Sequence, residues 1–211
     1  MTVKLSARST VLFQGDSITD CGRREDPDGG LGAGYPRLAA RLVRAAHPQA
    51  APTFLNRAVG GDRVRDLRAR WDEDSTPLAP DLVSVLIGVN DTWRRYDSGE
   101  TTSAAAYEKD YRHVLTRVRD ESGARLILVE PFLVPVEPEQ WAWRVDLDPR
   151  IQVVRRLAEE FDAALLAADG LMNQAAREAG SPDLVAGDGV HPTPLGHRVL
   201  AEAWAGLVTF G

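Results

Sequence analysis

Apolar residues along this chain fall into short unbroken runs separated by stretches of helical periodicity. Thr10 to Phe13, Thr53 to Asn56, Leu82 to Ile87, Arg125 to Glu130 and a weaker run from Ala163 to Ala167 have the length and character of buried strands. Between them, Leu38, Leu42 and Val43 recur at helical spacing and stop near His47-Pro48, while Val64, Leu67 and Trp71 share one helical face. Further helices are predicted over 104–121, 147–161, 171–179 and 194–208. Strands alternating with helices predict a three-layer α/β/α sandwich around a parallel sheet of about five strands, with right-handed crossovers. Three stretches break the pattern. Residues 20–34 are too glycine-rich for regular structure, 92–104 read as a long polar loop, and 132–146, with Pro135, Pro138, Trp141 and Trp143, reads as a loop or lid.

In a parallel sheet every strand ends at the same edge, which is where open α/β folds bind ligands. Four segments follow predicted strands or lie near the end of the chain: Gly15-Asp16-Ser17, Gly60-Gly61-Asp62, Gly88-Val89-Asn90-Asp91 and Asp188-Gly189-Val190-His191. Ester hydrolysis needs a nucleophilic hydroxyl, an imidazole to move its proton, a carboxylate to orient the imidazole, and donors for the oxyanion. Ser17, His191, Asp188 and Asn90 supply one of each. Asp188 and His191 lie three apart, so one turn of chain can bring them together. Asn90 is a neutral donor, which stabilises negative charge without lowering the basicity of a nearby imidazole. Asp16 and Asp91 are read as supporting groups held by hydrogen bonds, and His47, His113 and His197 as helical residues.

Bulk properties narrow the field. At 211 residues with no linker or repeat, residues 1–211 are expected to form one domain. The formal net charge of −6 disfavours nucleic acid, which calls for a concentrated basic surface. Cys21 is the only cysteine, so no intrachain disulfide forms, and the neighbouring Asp16 and Asp20 argue against a reactive thiolate. No run approaches the ~20 apolar residues of a membrane span, nor is there a signal-peptide core, so a cytoplasmic location is expected. Asp16, Asp20, Asp91, Asp188 and His191 are potential ligands for a hard cation, yet a serine-based site accounts better for Asn90 and the glycines; no metal and no cofactor is expected. Neither the dinucleotide fingerprint nor the phosphate loop is present.

With these four blocks in this order, the sequence resembles the SGNH subgroup of the GDSL hydrolases, named for Ser, Gly, Asn and His. Gly15-Asp16-Ser17-Ile18-Thr19 matches the first block, Asn56 through Gly61-Asp62 the second, Gly88-Val89-Asn90-Asp91 the third and Asp188-Gly189-Val190-His191-Pro192 the last. The resemblance implies a sheet order of 2-1-3-4-5 and a carboxylic ester hydrolase working through an acyl-serine. Ser17 would be nucleophile, His191 general base and then acid, and Asp188 its orienting partner. The N–H groups of Ser17 and Gly61 and the amide of Asn90 would form the oxyanion hole. Gly60 competes with Gly61, which is preferred because it precedes a polar residue and lies five after Asn56.

The expected partner is a small-molecule ester, favoured as a short acyl group such as acetyl on a carbohydrate or other metabolite because the surrounding segments are polar and aromatic. Longer acyl chains, as in a lysophospholipase or thioesterase, and a catalytically silent carbohydrate-binding relative are the alternatives. Trp93, Tyr96, Trp141 and Trp143 are candidates to stack on sugar rings or line an acyl pocket, or else to fasten their loops. Arg94 and Arg95 are candidates to meet a polar substrate group, or to pair with Asp97 or Glu100.

Overall fold

A computed structural model of the chain describes residues 2–27 and 30–211. Within the glycine-rich stretch 20–34, Asp28 and Gly29 therefore lie outside the described residues. The strands are β1 (Val3–Leu5), β2 (Thr10–Gly15), β3 (Thr53–Asn56), β4 (Leu82–Leu86), β5 (Arg125–Val129), β6 (Ala164–Leu166) and β7 (Val208–Phe210). Five of them form one sheet, ordered β3-β2-β4-β5-β6 with every pairing parallel. Numbered within that sheet, the order is the expected 2-1-3-4-5.

Alternation along the strands explains the layers. Val11 and Phe13, Leu82 and Leu86, and Ile127 and Val129 face one core, while Leu12, Val83, Val85, Leu126 and Leu128 face the other. The first core is covered by α2 (Tyr35–Ala46), α8 (Ala168–Ala179) and α9 (Pro194–Ala205), which present Tyr35, Ala39, Val43, Met172, Leu200 and Trp204. The second is covered by α3 (Val64–Ala69), α4 (Trp71–Asp74), α6 (Ala104–Arg117) and α7 (Arg144–Glu160), through Val64, Leu67, Trp71, Tyr107, Tyr111 and Leu157. Trp204 stacks at a tilt on Phe13, 4.8 Å between centroids, and its indole N–H donates to Ser84 Oγ at 2.9 Å. That bond ties α9, and the loop before it, to the centre of the sheet.

Several elements differ from expectation. The stretch after Asn90 is not a long loop: Val89–Asp97 is a helix, α5. Its buried residues are Val89, Asn90, Asp91 and Thr92, mostly polar, so the apolar stripe that advertises a helix is missing. The final helix stops at Ala205, and Val208–Phe210 becomes β7, pairing in parallel with β1 as a separate two-stranded sheet. Val64 to Asp74 is two helices, α3 and α4, meeting at Arg70. The segment expected as loop or lid contains a 3-10 helix, Pro138–Trp143, running directly into α7 at Arg144, three residues earlier than expected. It is bonded to α8: Arg144 forks onto both oxygens of Asp169 at 2.7 Å, Asp169 accepts from Leu133 N–H, and Asn173 donates to the Leu133 carbonyl.

Candidate active site

At the carboxyl end of β2 the chain must turn sharply beside β4. A Cβ on Gly15, whose φ is +154°, would stand 2.2 Å from the Leu86 carbonyl oxygen, so only glycine fits. Asp16 then caps the short helix α1 (Ser17–Asp20), its carboxylate accepting from Ile18 N–H at 3.1 Å. Ser17 is thereby set on the first helical residue, half-buried at the sheet edge.

His191 reaches this point from the far end of the chain. Its Nε2 lies 2.9 Å from Ser17 Oγ and its Nδ1 lies 2.6 Å from Asp188 Oδ2. An ionised carboxylate only accepts, so the proton belongs on Nδ1 and the Nε2 lone pair faces the serine hydroxyl. The other Asp188 oxygen accepts from the N–H groups of Val190 (2.9 Å) and His191 (2.7 Å), which closes the turn. Partial burial would raise the Asp188 carboxyl, but these hydrogen bonds outweigh it and hold the pKa down at about 2. The Asp188 bond in turn raises the His191 pKa above its ordinary value against partial burial, with the Asp16 charge adding to it.

The second block lies beside the serine and is bonded to the third. A Cβ on Gly60 would stand 3.8 Å from Ser17 Cβ, and one on Gly61 3.9 Å from the Arg94 guanidinium. The Gly60 N–H is already donated to Asp20 Oδ2 at 3.0 Å. Asn90, at the start of α5, donates from Nδ2 to the Asp62 carbonyl at 3.0 Å, which binds the two blocks to each other. Asp91 makes a second link, accepting from Val64 N–H at 3.0 Å, and its burial lifts its pKa to about 6. Asp16 is also fully buried, which lifts it to about 7 despite the Ile18 bond. Both are supports within the protein, as expected.

The aromatic candidates divide. Trp93 lies 5.7 Å from the His191 ring and 5.6 Å from Trp143, and Tyr96 stacks on Trp143 at 5.2 Å. These three form one wall beside the histidine, but Trp93 and Tyr96 stand on a helix, not a loop. Trp141 is not part of that wall; it is 64% exposed and lines a separate cleft with Val134, Pro135, Asn173 and Arg177. Arg94 pairs with Asp97, and Arg95 pairs with Asp146 rather than with either acid expected of it.

Cys21 has its thiol pKa raised by burial, and by Asp20 as well. It sits 3.6 Å from Nε2 of His197, whose Nδ1 accepts the Tyr35 N–H. Burial lowers the His197 pKa to about 4, so that ring is neutral. Among the described residues no three His, Cys, Asp or Glu side chains are grouped as metal ligands, and no helix is long and apolar enough to cross a membrane. Two residues of the site went unread in the sequence. Asp20 fixes Gly60, and Gln140 contacts the Asp188 turn. Glu137-x-x-Gln140 is a reciprocal cap at the start of its helix, a signal that was available.

A sequence model of the GDSL-like lipase/acylhydrolase family matches residues 13–199. The chain belongs to that family. As a GDSL-type hydrolase it is a carboxylic ester hydrolase, and its relatives agree in fold and length. It is 34% identical to an acetylxylan esterase from Geobacillus stearothermophilus over 99% of this chain and 97% of that one. The crystal structure of that acetylxylan esterase superposes with a TM-score of 0.87 over 96% of this hydrolase and 94% of the relative, at 34% identity. A GDSL-like lipase from Parabacteroides merdae superposes with a TM-score of 0.91 at 31% identity, covering 98% of this hydrolase and all of the other chain. Catalytic mutants of the Geobacillus esterase carry alanine at a serine, an aspartate and a histidine.

Proposed function

We propose that this hydrolase removes acetyl groups from carbohydrate esters, with Ser17, His191 and Asp188 as its triad. What carries the reading is the continuous line of bonds from Ser17 Oγ through His191 to Asp188 at the sheet edge. Ser17 Oγ attacks the acetyl carbonyl while its proton passes to His191 Nε2; the imidazolium that forms is stabilised by Asp188 and then protonates the leaving sugar oxygen. Water deprotonated by His191 releases acetate and frees Ser17.

The oxyanion is received by the N–H groups of Ser17 and Gly61 and by Asn90. An amide nitrogen carries two hydrogens. One of Asn90's goes to Asp62, fixing the plane of the group, and the other is free for the oxygen. Gly61 is preferred over Gly60 because Asp20 has already taken the Gly60 N–H. Acetyl is the favoured acyl group because Asp188 and His191 are exposed and the adjoining wall is Trp93, Trp143 and Tyr96, suited to the face of a sugar ring rather than to a long alkyl chain. The Geobacillus relative is an acetylxylan esterase, which supports the same substrate class.

An acyl series of p-nitrophenyl esters tests this, together with acetate release from acetylated xylo-oligosaccharides. Activity is expected to peak at acetate, to release acetate from the sugar, and to vanish in Ser17→Ala and His191→Ala. A maximum at octanoate with no acetate released from sugar overturns it.

A further inference from the structure

The turn that carries Asp188 and His191 stands out from the body with both side chains exposed, so something must hold it while the imidazole works. Inside the turn, Gly187 N–H bonds the His191 carbonyl, Gly189 N–H bonds the Ala186 carbonyl, and Asp188 accepts from Val190 and His191. These bonds shape the turn but do not locate it. At its base it is joined to α9 through Thr193, whose N–H and hydroxyl bond the Val185 and Leu184 carbonyls. At its tip it has two tethers to the segment that precedes α7. Val134 N–H donates to the Gly189 carbonyl at 2.8 Å, and Gln140 Nε2 donates to the Asp188 carbonyl at 2.7 Å. Only the second is a side chain.

Gln140 is itself fixed. Its Oε1 accepts from Val136 N–H at 2.8 Å and from Glu137 N–H at 3.2 Å, so the amide is held at both ends, and the residue as a whole is 9% exposed. It also lies flat against the turn. Gly189 has φ +86°, and a Cβ there would stand 2.6 Å from Gln140 Oε1 and 2.8 Å from Nε2. The glycine and the glutamine are fitted to one another, and any other residue at 189 would displace the amide. Resting on the assignment of Asp188 and His191 as catalytic, we propose that Gln140 is a positioning residue that locks the Asp188–His191 turn, and through it the imidazole, against the serine.

The lock acts on orientation and not on substrate, which separates it from a binding role. The reacting hydroxyl and imidazole tolerate little displacement, and an ångström of misplacement lowers turnover by as much as about 10²-fold. Gln140→Glu keeps the acceptor toward Val136 and Glu137 but sets an oxygen against the Asp188 carbonyl; Gln140→Met keeps the volume and removes all three bonds. Charged or titratable groups facing His191 are Asp188 on its own turn, Asp16 on β2's exit and, at longer range, His197 on α9. Neither variant moves Asp16 or His197, so a change in the titration of His191 in Gln140→Met reports the Asp188 contact.

The test is p-nitrophenyl acetate hydrolysis from pH 4 to 9, with active sites counted by fluorophosphonate labelling of Ser17 so that misfolded protein drops out. For both variants we expect kcat per labelled site to fall between about tenfold and 10²-fold, with KM within about twofold. In Gln140→Met the acidic limb of kcat/KM should also move to lower pH, because an imidazole less firmly bonded to a carboxylate protonates later on acidification. A kcat per site and an acidic limb that both match wild type, with only the melting temperature lowered, would overturn the proposal, as would a loss confined to KM. If Gln140→Met fails to fold, Gln140→Glu decides by its kcat per site. Failure of the catalytic assignment itself looks different: unmodified protein would then neither hydrolyse the ester nor take the label.

Discussion

Asp16 sits one residue before Ser17 and is fully buried, yet among the described residues only one of its oxygens is bonded, to Ile18 N–H. Its pKa of about 7 in the folded protein lies well above the 3.8 of an ordinary aspartate. Between those two values the folded state binds more protons than the unfolded state, so stability falls as pH rises across that window. Asp91, raised to about 6, contributes in the same direction over a narrower range. Asn at position 16 can still cap α1 but has nothing to ionise. Asp16→Asn is therefore expected to flatten the fall of melting temperature from pH 4 to pH 7, measured by calorimetry; a slope as steep as wild type would remove Asp16 as its source. Ser17, Asn90, Asp188 and His191 were legible in the sequence because each sits in a short block whose residue types have one joint use. The contacts of Asp20 with Gly60 and of Gln140 with the Asp188 carbonyl were not, because each acts on a distant backbone group that leaves no mark in the sequence, and only the local capping role of Gln140 was signalled.

At the scale of elements, the same contrast recurs. The inner strands β2, β4 and β5 were readable because burial on both faces makes them almost continuously apolar, whereas the edge strands β3 and β6 gave shorter runs. Helix α5 was hidden by the polarity of what it buries, and its anchorage explains how such a helix is tolerated. Arg150 of α7 is 1% exposed; it pairs with Asp146 at 2.7 Å, donates to the carbonyls of Asp91 and Thr102, and stacks over Tyr107. One guanidinium thus joins α7, the start of α5 and the loop before α6. Removing one partner of a buried ion pair typically destabilises by roughly 3–5 kcal/mol. Asp146 keeps Arg95, so the lower end applies, and Arg150→Ala is expected to lose about 3 kcal/mol in urea unfolding with an unchanged m-value. A loss below about 1 kcal/mol would mean that water replaces the guanidinium without penalty.

For the molecule as a whole, closure depends on pairings that span nearly the full chain. β1 and β7 join residues about two hundred positions apart, and neither strand was readable, since three residues are too few to show a period. Val208 is 3% exposed opposite Val3. Val208→Asp would set a carboxylate without a partner into that contact, and we expect more than about 3 kcal/mol of destabilisation, while kcat per labelled site stays near wild type because β7 supplies nothing to the site. Equal loss of turnover per site would show that the small sheet also shapes the catalytic edge.

The bond between Ser17 and His191 bridges 174 residues of chain. During synthesis Ser17 is therefore present well before His191, and the proposed triad cannot assemble until the segment carrying His191 has been made and folded back onto β2. With that triad, the gain of turnover during refolding is expected to report the docking of α9 and the turn before it rather than the formation of the sheet.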